Sequence, residues 1–249
     1  MMELYILIGA FFFIALIYSS VGFGGGSSYL ALMAQPFFSL MPDTIRPTAL
    51  LCNVVVVTGG TIIFYRQGKL LWKDIWPFIV MSVPMAFVGG FWKLQDDTFF
   101  IILGFTLLVV SILLWIQQDE KTVSVRFDST ASQLVVGGGI GFLSGLVSIG
   151  GGIFLSPILH LARWAEAKKI SALASVFILV NSIGGLMGQL SRGLPPLDWT
   201  FIASVMVAVF AGGQIGSRFG AQKFKPVYIR RITSILILLA SINILKDHL

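Results

Sequence analysis

Charge is what this chain has least of. It carries 17 Lys+Arg and 11 Asp+Glu in 249 residues, 11% in all, where a soluble domain carries about 25%. That deficit excludes a disordered chain and an ordinary soluble enzyme. Cysteine occurs once, at Cys52, which excludes an internal disulfide framework. The start, Met-Met-Glu-Leu, lacks the basic region of a cleaved leader. No Asp or Glu falls inside a long apolar stretch, so a carboxylate proton relay is not expected. There is no His-Glu-x-x-His, no Cys/His cluster and no paired aspartates for hydrolysis inside a membrane. The glycine runs lack the Gly-Lys-Ser/Thr of a nucleotide loop. No catalytic residue, cofactor or metal is therefore expected. The net charge of +6 reads as sidedness across a bilayer rather than as contact with nucleic acid.

What is abundant is apolar surface, 56% of the residues. The reading is an all-α polytopic membrane protein, with the lipid bilayer as its surroundings. Stretches free of Asp, Glu, Lys and Arg run over 4–42, 47–65, 75–92, 98–118, 129–162, 170–191, 199–217 and 232–245. About 20 apolar residues cross the ~30 Å hydrocarbon core. The last stretch reaches that length by starting near Pro226, with Arg230 and Arg231 snorkelling outward. All six tryptophans, at 72, 76, 92, 115, 164 and 199, lie near stretch ends, as an aromatic belt requires.

The first and fifth stretches, 39 and 34 residues long, are too long for one crossing. Each holds a glycine break, Val21-Gly22-Phe23-Gly24-Gly25-Gly26-Ser27-Ser28 and Val147-Ser148-Ile149-Gly150-Gly151-Gly152-Ile153. Glycine costs a helix about 1 kcal/mol relative to alanine, so three in a row unwind it. Such backbone persists at membrane depth only against protein or a wet cavity. The other reading, small residues for close helix packing, fits poorly because adjacent glycines lack the four-residue spacing.

The breaks begin an internal repeat. Gly24-Gly25-Gly26 matches Gly150-Gly151-Gly152, and Asn53 with Gly60 matches Asn181 with Gly188. Trp76-x-Phe78 and Gly89-Gly90 match Trp199-x-Phe201 and Gly212-Gly213, and Ser111 matches Ser241. The halves are 1–118 and 133–249, joined by a polar cytoplasmic linker at 119–132. If both broken segments crossed the membrane, the basic residues would divide 7 against 10. If both are re-entrant, they divide 13 against 4. The positive-inside rule favours the second count. Each half is then a re-entrant helical hairpin plus three transmembrane helices, the repeats are inverted, and both termini are periplasmic.

The helix after each break begins with free amides and about half a positive charge, which suits an anion. Two such ends facing one midplane cavity sum to about one charge. Gly24, Gly25, Gly26, Gly150, Gly151 and Gly152 let an oxyanion approach the backbone. Ser27, Ser28, Ser148 and Ser156 are candidate hydroxyl donors, or equally helix caps and back-bonded serines. Asn53 and Asn181, repeat-matched inside apolar spans, read as substrate contacts or as interhelical hydrogen bonds. Gln189 and Gln214 are weaker candidates. His160 reads as an interfacial histidine rather than a proton carrier. The basic clusters at 163–169 and 223–231 read as topology determinants, with anionic-lipid binding as the alternative.

With these residues the chain resembles the sulfite exporter TauE/SafE family. The resemblance rests on Gly22-Phe23-Gly24-Gly25-Gly26, on Gly141-Phe142-Leu143-Ser144-Gly145-Leu146-Val147-Ser148-Ile149-Gly150-Gly151-Gly152 followed by Pro157, on Asn181-Ser182-Ile183-Gly184-Gly185 and on Gly212-Gly213-Gln214-Ile215-Gly216. It implies a multi-pass permease of the bacterial inner membrane for sulfite, organosulfonates or related small anions. Ser171-Ala172-Leu173-Ala174-Ser175 stands where the family often has Ala-Thr-Ser-like residues. The partners expected are a small anionic substrate and the bilayer, with a homodimer left open. The leading expectation is an exporter. Uptake of another small organic anion and a non-transporting scaffold are the alternatives.

Overall fold

In the computed structural model the described residues are 2–19, 24–66, 68, 71–117, 129–193, 197–219 and 226–249. They form α1 (Met2–Ser19), α2 (Gly26–Met33), a 3-10 turn (Pro36–Phe38), α3 (Pro42–Arg66), α4 (Trp72–Phe91) and α5 (Asp96–Ile116). The second half repeats the order with α6 (Thr130–Val147), α7 (Gly152–Leu161), α8 (Ala167–Ser191), α9 (Trp199–Phe219) and α10 (Pro226–His248). No strand occurs among the described residues. Each half is thus a long helix, a glycine break, a short helix and three long helices. Val21, Gly22 and Phe23 of the first break lie outside the described residues, as does the linker except its last four residues. Of these, Thr130, Ala131 and Ser132 already belong to α6.

Six helices among the described residues are long and apolar enough to cross a membrane: α3, α4, α5, α6, α8 and α9. The α6 limb qualifies because its 18 residues reach about 27 Å at ~1.5 Å per residue. The α2 and α7 limbs have 8 and 10 residues and span only about half of that thickness. The α2 limb folds back on α1. The Tyr29 ring stacks on Phe11 with centroids 4.6 Å apart, and the Tyr18 and Ser28 hydroxyls share a hydrogen bond.

Glycines at four-residue spacing make close helix contacts. Gly137, Gly141 and Gly145 of α6 rest on the carbonyls of Phe78, Ser82 and Ala86 in α4, and a methyl on any of them would strike that oxygen. Gly212 and Gly216 of α9 rest in the same way on Phe12 and Leu16 of α1. Both pairs run parallel, since residue numbers rise together. Because α1 matches α6 and α4 matches α9, these contacts exchange the two halves. This spacing is the small-residue packing used between membrane helices. The triplets at 24–26 and 150–152 take no part in it, whereas the triplet Gly137-Gly138-Gly139 stays helical within α6, held by this packing rather than unwound.

Two matched pairs of helices run antiparallel. In α5 and α10, Phe100 stacks on His248, Ser111 accepts from the Ser234 hydroxyl, and Arg231 lies over Trp115. In α3 and α8, Leu50 lies beside Gly185 and Gly60 beside Ser175. Trp72, Trp92, Trp115 and Trp199 are exposed at helix ends, where amphipathic rings suit a membrane surface. Trp164 is instead buried, edge-on to Phe78.

Candidate functional site

Both breaks close in the left-handed region that glycine tolerates. Gly25, at φ 84°, precedes α2, and Gly151, at φ 80°, precedes α7. Gly150 adds a second residue at φ 90°. No side chain caps either helix, although Gly26, Ser27, Gly152 and Ile153 are buried. The first-turn amides of a helix have no intrahelical acceptor. Two buried helix starts without caps therefore present their positive ends inside the protein.

Asn53 joins the two breaks. Its Nδ2 donates to the Ile149 carbonyl at 2.9 Å. A methyl on Gly24 or Gly150 would come within 2.7–2.8 Å of the same amide, and one on Gly26 would collide with it. Ser182 and Ile178 of α8 border Gly150 from the opposite side. Asn53 lies near the middle of α3, so the junction is central along the bundle. It brings together Gly24, Gly26, Asn53 and Gly150, with Gly25, Gly151 and Gly152 adjoining in the chain.

The remaining candidates divide. Ser27 and Ser156 are buried with hydroxyls that have no partner. Ser28 is engaged by Tyr18. Asn181 donates to its own helix, Nδ2 to the Phe177 carbonyl at 2.8 Å, and leaves Oδ1 buried and unpartnered. Ser148 does not sit at an α7 amide. It terminates α6 at φ 63° and accepts hydrogen bonds from Gln189 Nε2 at 2.9 Å and Arg46 Nε at 3.4 Å.

Sequence reasoning passed over three groups here. Ser182 and Ser144 are fully buried with unpartnered hydroxyls. Arg46 is 2% exposed, although its place at the edge of an apolar stretch reads as a topology charge. The signal for Arg46 was helical phase: with Asn53 seven residues on, it shares a face of α3. From Arg46 the polar groups continue outward. Its Nη1 and Nη2 point at the Trp92 carbonyl, each 3.5 Å away, and Arg192 Nη1 reaches the same oxygen at 3.2 Å. Arg192 also pairs with Asp43 at 3.0 Å. A cleft of about 680 Å³ lined by Asp43, Trp92, Lys93 and Arg192 opens at that end. A second groove, about 830 Å³ between α1, α2, α9 and α10, has mostly aliphatic walls and offers little to an anion.

The family described as Sulfite exporter TauE/SafE matches residues 7–244. The chain is 34% identical over 242 residues to "Probable membrane transporter protein y4hK" of Sinorhizobium fredii, covering 95% of this chain and 96% of that protein. It is 25% identical over 248 residues to "Probable membrane transporter protein MJ0441" of Methanocaldococcus jannaschii, covering 94% and 91%. It is 23% identical over 247 residues to "Probable membrane transporter protein YunE" of Bacillus subtilis, covering 88% and 90%. No solved structure matches the chain.

Proposed function

The chain belongs to the sulfite exporter TauE/SafE family of membrane transporters, and from that premise we propose that it exports a small sulfur-containing oxyanion, sulfite or an organosulfonate, across a bacterial inner membrane. The observation that carries this reading is the junction at Asn53, where two buried, uncapped helix starts meet. Backbone amides with about half a positive charge per helix end bind an anion without a basic side chain. Ser27, Ser156 and Ser182 add unpartnered hydroxyls on the same short helices and on α8.

The repeats are proposed to be inverted. A two-fold axis across the helices makes matched helices antiparallel, the arrangement of α3 with α8 and of α5 with α10. Rocking of one half against the other would then expose the junction to each side in turn. The test of transport uses purified protein in liposomes and as free protein in detergent. Saturable sulfite efflux, with a raised melting temperature in sulfite or methanesulfonate, is the expected result. A scaffold shows neither, and a permease for another anion responds to carboxylates in place of sulfur anions.

The proposed sidedness puts both termini in the periplasm and the linker in the cytoplasm, following the 13 to 4 division of basic residues. The substitution Val125→Cys in the linker reports it, because the natural Cys52 is buried. An impermeant maleimide is expected to label the Val125→Cys protein only after the cells are opened. Labelling in intact cells would reverse the orientation.

A further inference from the structure

Arg46 is a buried cation that makes no ion pair among the described residues. Asp43 acts on it electrostatically from outside ion-pair distance, and that carboxylate makes its own ion pair with Arg192. Its contacts are long: 3.4 Å to Ser148 Oγ and 3.5 Å to the Trp92 carbonyl, with the Phe99 ring centroid 5.7 Å away. A buried guanidinium is tolerated when its five donors are matched by acceptors, above all by a bidentate oxyanion. Stretched bonds to neutral oxygens do not supply that match.

The surroundings show the same deficit independently. Gln189, fully buried, donates to Ser148 Oγ and leaves Oε1 unpartnered. Ser144, one turn before Ser148 on α6 and also fully buried, has an unpartnered hydroxyl. An anion beside Arg46 would accept from the guanidinium and from serine hydroxyls and would let the Gln189 amide reorient. The repeat sharpens the point. At the 128-residue offset that aligns Asn53 with Asn181, Arg46 falls on Ala174. The cation therefore belongs to one end of the route alone, between the junction and the cleft at Asp43, Trp92 and Arg192.

We propose that Arg46, with Ser144, Ser148 and Gln189, forms an oxyanion subsite through which the substrate passes between the paired helix breaks and that cleft. This rests on the reading of the chain as an anion transporter. The fork of Arg46 selects a small anion with two coplanar oxygens, the edge shared by sulfite, sulfonates and carboxylates. On arrival, the anion replaces the stretched bonds to Ser148 and Trp92. On departure those bonds re-form, so the guanidinium does not stay unsatisfied in the empty state.

The experiment measures radiolabelled sulfite flux in proteoliposomes, with melting temperature in rising sulfite, for wild type, Arg46→Lys, Arg46→Gln and Lys246→Gln. Lysine keeps the charge and loses the fork, so KM is expected to rise about 10-fold in Arg46→Lys and about 100-fold in Arg46→Gln. Vmax should change far less, and stabilisation by sulfite should shift in parallel. Lys246→Gln, a surface charge change on α10, should behave as wild type. If Arg46→Gln does not fold, Arg46→Lys decides by the same KM. A lower melting temperature without a change in KM makes Arg46 a structural tie and overturns the subsite. Wild-type KM in both variants overturns it too, while leaving the transport reading intact. No flux and no stabilisation in wild type overturns both.

Discussion

Gly26→Ala is expected to stop transport while the protein still inserts. Gly26 is the first residue of α2, where alanine suits a helix, so the backbone does not oppose the change. The obstacle is space. The added methyl would strike Asn53 Nδ2 and lie 2.6 Å from the Ile149 carbonyl, the two ends of the hydrogen bond that joins the breaks. One of three things must yield: the bond, the position of α2, or the packing of α3 on the second break. Overfilling of a packed site costs about 1–3 kcal/mol. Expressed as lost transport efficiency, the upper part of that range is about 100-fold. Gly139→Ala is the matched control, since a methyl there meets nothing within 4 Å. Gly25 and Gly151 are poorer probes, because φ of 84° and 80° strains any side chain before a substrate is considered. The measurement is sulfite efflux per folded molecule, with folding read by size-exclusion fluorescence. Flux at the wild-type level in Gly26→Ala would mean that the junction plays no part in the transport path.

The two kinds of glycine explain what was legible in the sequence. The triplets at 24–26 and 150–152 lie at helix breaks, but the triplet at 137–139 and the matched pairs at 89–90 and 212–213 lie inside unbroken α6, α4 and α9, so adjacent glycines alone do not mark a break. Glycines four apart, as at 137, 141 and 145, announce packing, and they lie against α4. Asn53 was legible as a buried amide that needs a partner, but its partner was not. The bond crosses 96 residues to the other half, a distance that no local pattern encodes. Asn181 shows the converse, a repeat-matched residue whose amide turns back on its own helix. Arg46 was the least legible. A charge four residues into a helix, just before an apolar run, resembles an interfacial anchor. Only the approach of α6 and α8, with Ser148 and Gln189, shows that it is enclosed.

The driving force follows from which charges the interior holds. Among the described residues no Asp or Glu is buried, whereas Arg46 is. A carboxylate that could carry a coupling proton through the centre is therefore not among them, whereas partial positive charge is present at the junction. For export, coupling is unnecessary. With the interior negative, each negative charge moved outward is favoured by about 2.3 kcal/mol per 100 mV. That corresponds to roughly a 50-fold concentration ratio, and for a sulfite dianion the free energy doubles. Export is thus expected to be electrogenic and driven by membrane potential together with the substrate gradient. The measurement uses liposomes loaded with sulfite, with potential set by potassium and valinomycin and with no proton or sodium gradient. Efflux should rise when the lumen is made negative and slow when it is made positive. Efflux indifferent to potential but dependent on a proton or sodium gradient would reject uncoupled export. In that case the unpartnered oxygens of Asn53 and Asn181, or the serines of the short helices, become the groups to test as ligands of the coupling ion.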